Sequence, residues 1–107
     1  MDKPEAPRLQ GEVTIEREDT ESKGRYVARV PGVGEEAELT FSKAGTELLI
    51  ADHTAVPDAM RGMGVGGKLA ARLVEDARRG GYKILALCPF VRAQRERHPE
   101  WADVVRI

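Results

Sequence analysis

One cysteine and two histidines in 107 residues leave little material for several kinds of chemistry. Cys88 has no second cysteine to pair with, so an internal disulfide is excluded, and a lone thiol suits a reducing cytosol. His53, His98 and Cys88 stand far apart in the chain and form no ligand cluster, so no metal site is expected. A charge excess is missing too. The 17 basic and 18 acidic residues leave a net charge of −1, and without a global basic field nucleic acid is not expected as the main partner. Long apolar runs are absent: "LLIA" and "ILALC" fall far short of a membrane span, and the charged start "MDKPEAPRLQG" lacks the apolar core of a signal peptide. The expectation is a soluble, cytoplasmic protein without a membrane partner.

What is present is enough for one domain with a single modest core. Residues 1–11 are polar, carry two prolines and read as a flexible N-terminal tail. Residues 12–107 read as a single domain. "VTIERE" (Val13 to Glu18) and "RYVARV" (Arg25 to Val30) alternate apolar with polar side chains, as half-buried strands do, and Asp19 to Gly24 joins them. "AELTF" (Ala37 to Phe41) is a third strand and Glu47 to Val56 a long fourth. Short turns between them indicate an antiparallel meander. The period then changes. Val65, Leu69, Leu73 and Ala77, with Ala70 and Val74 beside them, recur at helical spacing up to the stop "RRGG". "KILALC" (Lys83 to Cys88) is a buried-type strand, and Pro89 starts a second helix through about His98. The fold class is α+β: a strand meander, one β-α-β crossover whose strands lie parallel, and a C-terminal helix.

Between the fourth strand and the first helix lies "MRGMGVGGKL", where glycine permits positive φ and close backbone approach. A glycine loop opening a helix is a phosphate site, and three fingerprints overlay it. Gly62, Gly64 and Gly67 fit the dinucleotide pattern, but the acidic ribose ligand required about 20 residues later is missing from "KILALCPF". Gly62, Gly67 and Lys68 fit a nucleotide-hydrolase loop, but Leu69 stands where Ser or Thr must hold magnesium. The third, R-x-x-G-x-G, is filled by Arg61, Gly64 and Gly66 after a long strand and before a helix.

That pattern resembles the loop of the Gcn5-related N-acetyltransferases (GNAT family). The stretch from "DHTAVPDAMRGMGVGGKLAARLVEDARRGGYKILALCPFV" to "RHPEW", with "RYVARV" and "AELTF" before it, resembles the small stand-alone acetyltransferases of the YjdJ type over roughly Glu12 to Trp101. The resemblance implies a compact GNAT-like fold and transfer of an acetyl group from acetyl-coenzyme A to an amine, the acceptor being unidentified. It implies that the amides of Gly62, Met63, Gly64, Val65, Gly66 and Gly67 hold the pyrophosphate at the helix N-terminus, with Arg61 and Lys68 adding positive charge. It also implies that Thr54, Ala55 and Val56 pair through their backbone with the pantetheine arm, one N–H polarising the thioester carbonyl.

The wider family often places a tyrosine acid on the last helix, where this chain has "PFVRAQRER", and compact members often carry an aromatic and an aliphatic residue where it has Gln94 and Arg95. The catalytic candidates are therefore Cys88 and His53. Both stand near C-terminal strand ends, and if those strands are neighbours both side chains reach one slot. His53 either exchanges protons near neutral pH, as an imidazole can, or is a structural histidine hydrogen-bonded within the sheet. A thiol either relays the acetyl group, donates a proton or lines the pocket, and direct transfer is preferred. His98 and Trp101 are expected to fix the C-terminal turn. Larger relatives insert two helices where Asp19 to Gly24 stands, so the acceptor side should be open. The alternatives are a non-catalytic acyl-coenzyme A binding or sensing module and an interaction domain whose loop is only structural.

Overall fold

The computed structural model describes residues 12–107; the expected tail over residues 1–11 lies outside them. Among these residues six strands form one sheet in sequence order: β1 (Thr14–Asp19), β2 (Lys23–Arg29), β3 (Ala37–Lys43), β4 (Leu48–Ala55), β5 (Lys83–Ala86) and β6 (Val105–Arg106). β1 to β4 are the antiparallel meander, and β4–β5 and β5–β6 pair in parallel. Helix α1 (Val65–Gly80) crosses from β4 to β5, and α2 (Pro89–Arg97) with a 3-10 turn over Pro99–Asp103 leads from β5 to β6. The α+β class expected from the sequence is the one observed, and the crossover supplies its parallel strands.

The alternation of the strands explains the layering. Tyr26, Ala28, Leu39, Phe41, Leu49 and Ala51 point to one face and are almost wholly buried. Leu69, Ala70, Leu73, Val74 and Ala77 of α1 close over them. α1 stops where Gly81 turns left-handed at φ 74°, its N–H donating to the Ala77 carbonyl; only glycine takes that conformation without steric cost. Arg78 and Arg79 in the last turn oppose the negative end of the helix dipole.

Sequence spacing did not reveal β6. Two residues are too few for an alternating pattern, and Val105 becomes a strand residue only because α2 returns the chain beside Ile84. The turn before it is fixed as expected: the His98 ring stacks on Trp101 at 4.3 Å between centroids, and the Trp101 N–H donates to the His98 carbonyl. Arg95 donates to the Val105 carbonyl at 3.2 Å, so this polar residue of α2 holds β6 in place.

Asp76 is the buried charge under α1. Its carboxylate accepts from the Tyr26 hydroxyl at 2.7 Å, from Arg72 at 3.2 Å and from Arg79 at 2.5 Å, and Arg17 of β1 bridges Tyr26, Tyr82 and Asp76. Burial works against this carboxylate, but the Tyr26 hydrogen bond and the guanidinium of Arg72 outweigh it and hold its pKa below the ordinary carboxylate value. Burial and the same hydrogen bond push the Tyr26 phenol above its usual range. A lowered folded-state pKa stabilises above the unfolded-state pKa of about 3.9, and that contribution disappears as pH falls through the folded value. Asp76→Asn is therefore expected to cost on the order of 3 kcal/mol at pH 7, with the gap to the parent narrowing below about pH 4. Urea unfolding at pH 7 and pH 3 measures it; a gap of constant size would contradict the assignment.

Candidate functional site

β4 carries the irregularity that opens the sheet. Thr40 faces His53 while Phe41 faces Ala51, so Asp52 is an extra residue, a β-bulge. Up to Ala51 the strand pairs with β5; the last links are the N–H groups of Leu87 and Cys88, which both donate to the Ala51 carbonyl at 3.1 and 2.9 Å. Beyond that carbonyl, Asp52–Ala55 has β3 on one side and, among the described residues, no strand on the other. The chain of β5 turns away into α2, whose first turn begins with Pro89 after Cys88. The result is a slot with one bare strand edge.

Cys88 is buried at the closed end of this slot, and its Sγ lies 3.2 Å from the Thr54 hydroxyl of β4. The strands are neighbours as expected, but the two catalytic candidates do not meet. His53 is in register with Thr40 on the opposite face of the sheet and is exposed, whereas Thr54 is in register with Leu39 on the helix-covered face. The alternation of a strand decides this: adjacent residues point to opposite faces.

Past β4 a 3-10 turn over Asp58–Met60 leads to the glycine loop. Gly62 and Gly64 have φ of 83° and 72°, in the left-handed region where only glycine is unstrained. Gly64 is the N-cap of α1, no side chain among the described residues caps the helix, and its first turn has no acidic residue. The first amides of α1 thus keep their hydrogen-bonding capacity at the positive end of the helix dipole. A cavity of about 390 Å³ opens against them, lined by Val56, Met60, Arg61, Gly62, Gly64, Val65, Gly66 and Gly67 from the loop side. The exposed Arg61 guanidinium pairs with the exposed Asp58, a contact worth about 0–1 kcal/mol in water and readily exchanged. Met63 is exposed and, with Thr54, Ala55 and Lys68, lies outside this lining.

The far wall of the cavity went unrecognised in the sequence. Phe90, Gln94 and Arg97 of α2 complete it, and their spacing of three to four residues is that of one helix face. The signal was available in "PFVRAQRER", but nothing in the sequence says that α2 faces the glycine loop. Arg97 forms no ion pair among the described residues. Gln94, a departure from the expected pattern, has a surface here. The arrangement provides bare amides, two guanidinium groups and a strand edge leading to a thiol, which suits a ligand with a phosphate group joined to an extended polar arm.

The family model of the GCN5-related N-acetyl-transferases matches residues 25–104. The solution NMR structure of a GCN5-like candidate N-acetyltransferase from Staphylococcus aureus superposes with a TM-score of 0.64 at 32% identity, covering 85% of this chain and 87% of that one. No curated protein matches the chain.

The loop packing makes a prediction of its own. A Cβ on Gly66 would sit 2.5 Å from Cζ of Phe90, whereas one on Gly67 would meet only Gln94 Oε1 at 3.6 Å, an ordinary contact. Gly66→Ala must push the Phe90 ring aside, while Gly67→Ala gains helix propensity without a clash. In denaturant unfolding, Gly66→Ala is expected to be less stable than Gly67→Ala by roughly 1–2 kcal/mol; equal stabilities would mean that Phe90 does not seat against the loop.

Proposed function

From the premise that the chain belongs to the GCN5-related N-acetyltransferase family, we propose that it is an acetyltransferase of the small, stand-alone YjdJ-like type, acting in the cytosol and moving an acetyl group from acetyl-coenzyme A to an amine by direct transfer. The observation that carries this reading is the slot. One carbonyl, that of Ala51, ends the pairing of β4 with β5, and the bare edge beyond it runs from the buried thiol of Cys88 toward the uncapped N-terminus of α1.

In this reading the diphosphate of the co-substrate lies against the amides of Val65, Gly66 and Gly67, with Gly62 and Gly64 giving the backbone its approach. Arg61 and Arg97 neutralise its charge from either side, and Lys68 adds a longer-range positive field. The pantetheine arm follows Thr54, Ala55 and Val56 as an added strand would. The amine nitrogen attacks the thioester carbonyl, a C–N bond forms, the C–S bond breaks, and the electron pair leaves with the coenzyme A sulfur. A backbone N–H of the bare edge steadies the oxyanion. His53, exposed on the open face one residue past the bulge, takes the proton that an ammonium acceptor must lose before attack. The departing thiolate takes the proton that the nitrogen sheds after it. Cys88 and Thr54 line the slot beside the reacting carbon.

One observation favours a second reading, an acyl-coenzyme A binding module without turnover. Tyr26 and Tyr82, the two tyrosines of the chain, both belong to the Arg17 network under α1, and no tyrosine on α2 serves the leaving thiolate. Turnover separates the two readings.

Titration calorimetry with coenzyme A is expected to show binding to the parent and at least tenfold weaker binding, about 1.4 kcal/mol, to Gly64→Val, because a β-branched residue resists the left-handed conformation at that position. Equal affinities would reject the loop as the phosphate site. With acetyl-coenzyme A and an acceptor, Cys88→Ala is expected to keep measurable activity, and mass spectrometry of the parent without acceptor to show no acetyl adduct. An adduct on Cys88 that forms and decays at the rate of turnover would replace direct transfer by a covalent relay.

A further inference from the structure

The helices leave one face of the sheet bare, and on it lies a cavity of about 550 Å³ that the co-substrate reading does not use. Its wall includes Glu18, Lys23, Gly24, Arg25, Thr40 and Asp52. Gly24 stands between Lys23 and Arg25 on β2, and Asp52 is the bulge residue of β4, so the cavity reaches the point where β4 and β5 part.

The charges around it are almost all used. Arg25 holds Glu18 at 2.8 Å and Glu38 at 2.8 Å. Asp19 is taken by Arg17 at 2.8 Å and Lys43 at 2.9 Å. Two groups are left over. Among the described residues Asp52 has one hydrogen bond, from the Ser42 hydroxyl at 2.6 Å, and no cation beside it. Lys23 has no carboxylate within 4.0 Å among the described residues. They are not remote from each other, because Lys23 is in register with Ser42, the residue that holds Asp52. One uncommitted anion and one uncommitted cation therefore share the wall of one cavity.

We propose that this cavity is the acceptor site and that the acceptor is a small zwitterion of the free amino acid class, its ammonium group held by Asp52 and its carboxylate by Lys23. The inference rests on the acetyltransferase reading above. A simple amine satisfies Asp52 but meets the charge of Lys23, and a simple acid does the reverse; a molecule with both groups answers both. A polyamine meets Lys23 as a like charge, and a nucleotide meets Asp52 in the same way. The volume suits a small ligand. Ser42 orients Asp52, which stands where β4 parts from β5.

The test uses the full chain, uniformly labelled with ¹⁵N, and a probe set of the free amino acids with β-alanine, the methyl ester of each, and spermidine. At least one amino acid should shift the amide signals around Lys23, Thr40 and Asp52 in the absence of coenzyme A, and its methyl ester, which lacks the anion, should bind at least tenfold more weakly. Lys23→Ala should abolish this preference for acid over ester, and Asp52→Asn should weaken both, while neither changes coenzyme A affinity by calorimetry. The same amino acid should release coenzyme A from acetyl-coenzyme A in a thiol assay. Esters or spermidine binding as well as the amino acids, or no amide shift with any probe, would overturn the proposal even with coenzyme A binding intact. Amino acid binding with the expected variant effects, but without affinity for coenzyme A, would support the zwitterion site and reject the acetyltransferase reading instead.

Discussion

The carbonyl of Ala51 holds the last hydrogen bonds between β4 and β5, and the rest of the site depends on where those bonds end. Parallel strands normally run together until a loop takes one of them away. Here the bulge at Asp52 bends β4 while the sheet is still continuous on its other side, so β4 goes on beside β3 after it has left β5. An unpaired strand edge inside a sheet is costly unless something satisfies it. In this fold that edge lies between the starts of the two helices: α1 begins after β4 ends, and α2 begins as soon as Cys88 has donated to Ala51.

The position of α1 is held by chemistry that has no part in the slot. Its apolar stripe rests on the sheet, but an apolar stripe alone permits some rotation about the helix axis. Asp76 removes that freedom because its carboxylate is bound to Tyr26 of β2 and approached by Arg17 of β1. Burial of a charge is tolerated only with such partners. The helix end that faces the glycine loop is thereby fixed from strands at the other side of the sheet, and Phe90 seated over Gly66 joins α2 to the same end.

The helix-free face follows a different logic. Its central side chain, Val27, is fully buried although no helix among the described residues covers it. It is in register with Glu16 and Glu38 and lies between Arg25 and Arg29 on its own strand, and these long side chains, cross-linked by ion pairs, shield it with their stems. Exposed pairs of this kind add little stability each. They do place charge along β1, the edge strand among the described residues, and they use up most of the charge on the face, so that the few uncommitted groups stand out.

Much of this was legible in the chain. Alternation in β1 to β3, the helical stripe of α1 and the glycine loop are local patterns, each set by residues close in sequence, and they led to the fold class and to the loop as a candidate site. The loop was legible because positive φ demands glycine whatever surrounds it. The strand ends were shifted by one or two residues, and β6 was invisible because it exists only by pairing.

What the sequence by itself determined is most of the elements and the glycine loop that opens a helix, since propensity, periodicity and glycine act within a few residues. Only the tertiary structure decided that Thr54, rather than His53, faces Cys88, that Phe90, Gln94 and Arg97 close the loop cavity, and that Asp52 and Lys23 share one cavity wall without an ion-pair partner among the described residues. Each of these depends on register across the sheet and on the direction of a second helix. A single inserted residue, the bulge at Asp52, sets which face every later side chain of β4 occupies, and no local pattern in the sequence records it.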